Sequence, residues 1–196
     1  MSRIKVFFLK LSVVCLLMLF FVYASAKSVA DYPAVSFSNM SGFPAYEVGY
    51  SQGVSACFAG RIEGKLILAG GCNFPETSAA LGGKKRFYHG IYAADFNAGS
   101  HFQWKYVGDL PASTAYGVTI SVANKLVFIG GMNENGSLSS VYSVTLNKNQ
   151  QVVIENLPSL PYAMDNMAGA LIVKTIYVAG GKVNGKPSCK MYCLNL

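Results

Sequence analysis

Short apolar runs alternate with polar, glycine-rich connections from about residue 54 to the end of the chain, and three of the runs end in Gly-Gly, at 65–71, 125–131 and 175–181. A second apolar run precedes each of them across a two- or three-residue connection, which is the pattern of a β-hairpin. A third run with an aromatic residue follows each Gly-Gly, and a fourth run ending near Leu-Pro follows the first two. The pattern therefore predicts a repeated unit of four short antiparallel strands, about 50 residues long.

A unit of this length with Gly-Gly after its second strand is typical of a kelch-type blade of a β-propeller. We therefore predict an all-β fold of about three four-stranded antiparallel blades, with a generic β-sandwich as the alternative. Side chains at the paired glycines would obstruct packing between blades, and the turn out of the strand favours a positive φ.

The predicted blades cover residues 54–111, 112–161 and 162–196, and the last of them lacks a fourth strand. Since propellers typically close with about four to eight blades, we expect an incomplete propeller, either the N-terminal half of a longer protein or a truncated product. Within the N-terminal segment 27–53, residues 32–40 are expected to supply a strand to a closing blade. An open blade face would favour self-association of the chain.

Residues 1–26 are predicted to be a signal peptide. A basic start leads into an apolar run up to Tyr23, and Ala24-Ser25-Ala26 gives a cleavage pattern before Lys27. An uncleaved anchor is the alternative, but the 13 residues after Lys10 are short for a span of about 20. We expect a periplasmic or secreted protein without stable membrane insertion after cleavage.

Composition narrows the range of partners. The chain is 52% hydrophobic and 13% charged, which excludes a disordered protein. Its net charge of +7 owes much to the first ten residues, since 13 Lys and Arg face 9 Asp and Glu from Lys27 onward. We therefore expect no nucleic-acid partner. Cysteine and histidine spacing indicates no metal site, and the disulfide state of Cys57, Cys72, Cys189 and Cys193 is left open.

Candidate site residues lie in the loops that leave the second and fourth strands, which emerge on one face of a propeller. Long loops on a rigid scaffold commonly carry function. Each candidate has a structural alternative, namely a solvated loop tip, a turn carboxylate, a cap or blade packing. The candidate acid and base groups are Glu134 and Asp165, and the candidate substrate-binding residues are Asn73, Lys84, Lys85, Tyr88, Tyr116 and Asn166.

Several segments resemble the cyclically permuted mutarotases, a family of kelch propellers, and the most specific is Gly-Gly-Cys-Asn-Phe-Pro at 70–75. The others are residues 53–60, 66–69, 82–85 with Tyr88, 110–118 and 160–170. The resemblance implies a longer, periplasmic propeller of about six blades that interconverts the anomers of N-acetylneuraminate, a sialic acid. If the chain is truncated, we expect it to be inactive by itself. Thr114 stands where that family leads us to expect an arginine.

The resemblance implies a sugar-acid substrate and no cofactor. Anomer exchange needs a base for the anomeric hydroxyl and an acid for the ring oxygen, and Lys84 or Lys85 suits the substrate carboxylate. The alternative is a kelch propeller that binds a glycan or a protein partner without catalysis. A copper oxidase is disfavoured because the sequence lacks a convincing set of His, Tyr and Cys ligands.

Overall fold

A computed structural model describes residues 37, 39–95 and 101–196, which form strands and turns with two short 3₁₀ helices. The chain divides into two units, 1–39 and 40–196, and every described element lies in the second. The predicted signal peptide lies outside the described residues, as does most of the strand predicted at 32–40. Among the residues described, there is no helix with the length and apolar character needed to cross a membrane.

Two 3₁₀ helices and sixteen strands follow one another along the described part of the chain. The 3₁₀ helices are Tyr50–Gln52 and Ala79–Leu81. The strands are β1 (Phe58–Ile62), β2 (Lys65–Ala69), β3 (Cys72–Asn73), β4 (Arg86–Phe87), β5 (Gly90–Asp95), β6 (Lys105–Asp109), β7 (Val118–Val122), β8 (Lys125–Asn133), β9 (Gly136–Leu146), β10 (Val152–Leu157), β11 (Met164–Asp165), β12 (Ala168–Ile172), β13 (Thr175–Ala179), β14 (Lys182–Val183), β15 (Lys186–Pro187) and β16 (Met191–Asn195).

Three antiparallel blades follow one another along the chain, and they confirm the predicted all-β, kelch-type architecture. Blade one has the strand order β1-β2-β5-β6, blade two has β7-β8-β9-β10, and blade three has the three strands β12-β13-β16. The first hairpin of each blade closes in a two-residue turn, since Ile62 pairs with Lys65, Val122 with Lys125 and Ile172 with Thr175.

Each Gly-Gly leads into a second hairpin, formed by β3 and β4 in blade one and by β14 and β15 in blade three. In blade two the same extension is part of β8 and β9, where Met132 pairs with Ser137. The polar stretch 132–136 is therefore a hairpin, in which only Glu134 and Asn135 form the turn. Its polar residues resemble a loop although their backbone groups are paired.

Apolar side chains fill the space between successive blades. Between blades one and two, Phe58 stacks on Phe128 with ring centroids 4.4 Å apart, and Phe128 is fully buried. Between blades two and three the buried core is formed by Val118, Ile120, Val127, Ile129, Val141, Met164, Met167, Ile176 and Val178. Burial of these two layers is the main force that holds the blades together.

The paired glycines serve both purposes expected of them. Gly70 and Gly130 adopt φ of 61° and 56°, a region that L side chains disfavour. A Cβ at Gly70 would meet the carbonyl oxygen of Thr114, and one at Gly130 would lie 2.7 Å from that of Met164. Both carbonyls belong to the segment that enters the next blade, so a side chain would separate the blades.

A cluster of tyrosines attaches the segment before β1 to blade one. The hydroxyl of Tyr50 donates to the Gly70 carbonyl at 3.0 Å, and its ring packs edge-on against Tyr88. Glu47 accepts hydrogen bonds from the Gly90 amide at 2.9 Å and from the Tyr92 hydroxyl at 3.1 Å. Burial raises the pKa of both Tyr50 and Tyr92 well above the usual value.

Candidate functional site

The entries into the three blades run side by side and bring distant predicted residues together. Ala56, Tyr116 and Asn166 occupy equivalent positions, and all three adopt left-handed φ angles of 56°, 62° and 56°. The amide of Tyr116 donates to the Ala56 carbonyl, and the amide of Asn166 donates to the Tyr116 carbonyl, both at 2.9 Å. This backbone chain places the Tyr116 and Asn166 side chains on neighbouring blades.

Lys85 is held against Tyr116 by a hydrogen bond and by aromatic rings. Its ammonium group donates to the Tyr116 hydroxyl at 2.9 Å and lies 4.8 Å from the centre of that ring. Phe74 and Phe87 stand at 5.6 and 6.0 Å from the same nitrogen, within the range of cation–π attraction. The hydrogen bond to Tyr116 raises the pKa of Lys85, and a lysine side chain carries its charge at neutral pH in any case.

Three of the predicted site residues line one pocket, which we call the first pocket. It has a volume of about 540 Å³, and its lining includes Lys84, Lys85 and Glu134 together with Glu76 and Arg86. Three cations and two carboxylates thus face one space. Such a lining can bind an anion and offer a carboxylate for proton transfer at the same time.

A second pocket of about 440 Å³ contains the other candidate carboxylate, Asp165. Asp165 is only 2% exposed, and it accepts hydrogen bonds from the Ser137 hydroxyl at 2.6 Å and from the Asn166 amide group at 2.5 Å. Glu134 lines the first pocket and its neighbour Asn135 the second, so the tip of the β8–β9 turn stands between them. The two candidate acid and base groups therefore line separate pockets.

Asn73 and Tyr88 engage the protein itself. The Tyr88 hydroxyl donates to the Asn73 side-chain oxygen at 2.7 Å, and the Asn73 amide donates to the carbonyls of Gly49 and Gly53, both at 2.8 Å. Tyr88 is buried. These contacts attach the segment before β1 to the second hairpin of blade one, and the predicted role of both residues in substrate binding stays a prediction.

Sequence reasoning did not select the residues that support Lys85 and Asp165. Phe74, Phe87 and Cys72 surround the Lys85–Tyr116 pair, with the Cys72 thiol donating to the Tyr116 hydroxyl at 3.4 Å. Ser137 supports Asp165. Their roles depend on contacts between blades, although the Gly-Gly-Cys-Asn-Phe-Pro motif did mark two of these positions.

Within the described ranges, the structure groups no three His, Cys, Asp or Glu residues in a way that could hold a metal ion.

Four-stranded antiparallel blades with Gly-Gly after the second strand define a kelch-type β-propeller protein. The sequence profile of the N-acetylneuraminate epimerase family matches residues 24–154, and the chain belongs to this family. The family resemblance expected from the Gly-Gly-Cys-Asn-Phe-Pro segment is thereby confirmed.

Individual relatives carry the same name. The chain is 34% identical over 125 residues to N-acetylneuraminate epimerase of Pasteurella multocida, a match that covers 57% of this chain and 32% of the relative. It is 30% identical over 109 residues to that of Vibrio vulnificus (53% and 28%), and 28% identical over 134 residues to that of Vibrio cholerae (66% and 32%). The chain thus spans about a third of the length of these relatives.

Proposed function

We propose that this protein is a mutarotase that interconverts the α and β anomers of N-acetylneuraminate. The observation that carries the proposal is the first pocket, where the fixed cation Lys85 and the carboxylate of Glu134 line one space. Membership in the N-acetylneuraminate epimerase family supplies the substrate class. A sugar acid requires both a partner for its carboxylate and a proton-transfer group for its anomeric centre.

Lys85 is the group best placed to bind the substrate carboxylate. Its ammonium is oriented by Tyr116, so less conformational entropy is lost when an anion binds. Lys84 lines the same pocket but is exposed, and its side chain stays free in solvent. We therefore assign the main ionic contact to Lys85 and a minor one to Lys84.

Glu134 is our candidate for proton transfer. A base takes the proton of the anomeric hydroxyl while the bond from the anomeric carbon to the ring oxygen breaks and that oxygen gains a proton. The open-chain ketone then rotates and closes on its other face with the reverse proton transfers. No electrons are gained or lost. Asp165 lines the adjoining pocket, and its role in proton transfer stays a prediction.

We also propose export to the periplasm or the cell exterior, on the basis of the signal-like pattern at 1–26. The same pattern predicts Lys27 as the mature N-terminus. Sequencing the N-terminus of exported material tests this directly, and Met1 retained in a membrane fraction would contradict it.

Proton NMR of the freshly dissolved α anomer tests the activity. The whole protein is expected to accelerate conversion to the β anomer, and Glu134→Gln in it is expected to lose about a hundredfold or more of that acceleration while still binding the sugar. Glu155→Gln is the matched control, because Glu155 is an exposed carboxylate on β10 outside both pocket linings. Binding of N-acetylneuraminate without any acceleration would favour the alternative of a glycan-binding propeller.

A further inference from the structure

The second pocket has a lining unlike that of the first. Its polar groups include Asp165, Ser137, Asn135 and Asn184, with Lys182 as its cation. Asp165 is almost fully buried and meets neutral donors, Ser137 and Asn166. Burial of a carboxylate costs free energy unless its hydrogen-bonding capacity is used. The presence of Asp165 in this lining therefore needs an explanation other than packing.

The repeat itself shows that the backbone does not require a carboxylate at this position. Ala115 is the equivalent residue of blade two, and it exchanges two hydrogen bonds with Met132, at 2.9 and 2.7 Å. Asp165 pairs in the same way with Lys182. Since a methyl side chain is enough for the pairing in blade two, the carboxylate of Asp165 serves a purpose other than holding the strands.

The carboxylate of Asp165 retains the capacity to accept further hydrogen bonds. An ionised carboxylate offers about four acceptor positions, and Ser137 and Asn166 use two of them. Hydroxyl groups are suitable donors to the remaining positions, since one hydroxyl, that of Ser137, already donates to this carboxylate at 2.6 Å. The pocket therefore suits a ligand group that carries several hydroxyls.

The two pockets adjoin at the β8–β9 turn. Their linings meet at the consecutive residues Glu134 and Asn135. Direct contacts also connect them from Lys85 through Tyr116 and Asn166 to Asp165. The second pocket is therefore the neighbouring space for the far end of a sugar acid whose carboxylate contacts Lys85.

We infer that the second pocket is a subsite for the polyhydroxyl tail of the sugar acid, with Asp165 and Ser137 as the residues that select it. The inference rests on the proposed function, because it assumes that the carboxylate of the same ligand lies in the first pocket.

The test compares two ligands that differ in the tail alone. One is N-acetylneuraminate, and the other is its seven-carbon form, made by periodate cleavage and borohydride reduction of the tail in the methyl glycoside, which protects the anomeric carbon, followed by acid removal of the methyl group. NMR titration of the wild-type chain is expected to show the nine-carbon acid binding roughly ten- to a hundredfold more tightly, since hydrogen bonds to a charged group are among the stronger ones. In Asp165→Ala and Ser137→Ala this preference should fall towards unity, mainly through weaker binding of the nine-carbon acid.

Ser140→Ala is the matched control, because Ser140 lies on the same strand, β9, and is not part of the pocket lining; it should keep the wild-type preference. If the wild-type chain binds both acids equally, the subsite is overturned while the proposed function stands. If it binds neither acid, the proposed function fails as well. Circular dichroism checks the folding of each variant, and Ser137→Ala decides the question should Asp165→Ala not fold.

Discussion

The ammonium of Lys85 lies 2.9 Å from the hydroxyl of Tyr116, although 31 residues separate them in the chain. Lys85 belongs to the second hairpin region of blade one, and Tyr116 enters blade two. The contact therefore joins two blades at the rim of the charged pocket. The contact also distinguishes Lys85 from its neighbour Lys84, which lines the same pocket but is exposed.

The first prediction uses that difference between neighbouring lysines. Lys85→Ala is expected to weaken binding of N-acetylneuraminate by about one to two orders of magnitude, the value of a lost charge-assisted contact of about 1.5–3 kcal/mol. Lys84→Ala should change the affinity by less than about threefold, since exposed charges contribute little. NMR titration of both variants measures the effect, and equal losses would show that the two lysines act as one diffuse positive surface.

The second prediction concerns alkaline pH. Burial raises the pKa of Tyr50 and of Tyr92, so their contribution to stability is fully present below the unfolded-state pKa of about 10. Above pH 10 the unfolded chain releases these protons first, and stability is lost progressively by up to about 1.4 kcal/mol per pH unit for each group. Urea unfolding between neutral pH and pH 11 measures this loss. Tyr92→Phe should make the decline shallower, and parallel curves for the two proteins would refute the assignment.

The third prediction compares two glycines that share a positive φ. Gly130 has φ 56° and a Cβ there would lie 2.7 Å from the Met164 carbonyl oxygen, whereas Gly180 has φ 70° and its nearest atom would be 4.0 Å away. Backbone strain is common to both alanine variants, but only Gly130→Ala pushes blades two and three apart. Gly130→Ala should therefore lower the free energy of unfolding by about 1–3 kcal/mol more than Gly180→Ala. Equal losses of unfolding free energy in the two variants would mean that backbone strain alone explains why glycine occupies these positions.

The fourth prediction is a gain in stability at Val173. This valine forms the first turn residue of blade three with φ 57° and is 91% exposed. A β-branched residue is strained in that region, whereas asparagine adopts it more readily and loses no packing at this position. Val173→Asn should therefore stabilise the chain by about 0.5–1 kcal/mol in chemical unfolding.

Ile172→Asn is the control for that variant, because Ile172 is exposed but lies in β12 without a positive φ. It should give no gain. A similar gain in stability at both positions would show that removal of exposed apolar surface causes it, and not relief of backbone strain at Val173.

Much of the fold could be predicted from local pattern. The hairpins before each Gly-Gly, the strands with an aromatic residue after it and the fourth strands of the first two blades all appear in the predicted order. Strand pairing within a blade joins neighbours in sequence, and alternating apolar residues with turn signals specify it directly. The hairpin at 132–136 was not predicted, because backbone hydrogen bonds hold it together and these leave no hydrophobic pattern in the sequence.

The sequence by itself determined the blades, their order and the need for glycine after each second strand, since all of these follow from short-range patterning and backbone sterics. The tertiary structure decided which of the candidate residues meet. It placed Lys85 with Glu134 in one pocket and Asp165 in another, and it turned Asn73 and Tyr88 towards the protein. These outcomes depend on how one blade is rotated against the next, and that angle arises from apolar packing between blades, which no local segment encodes.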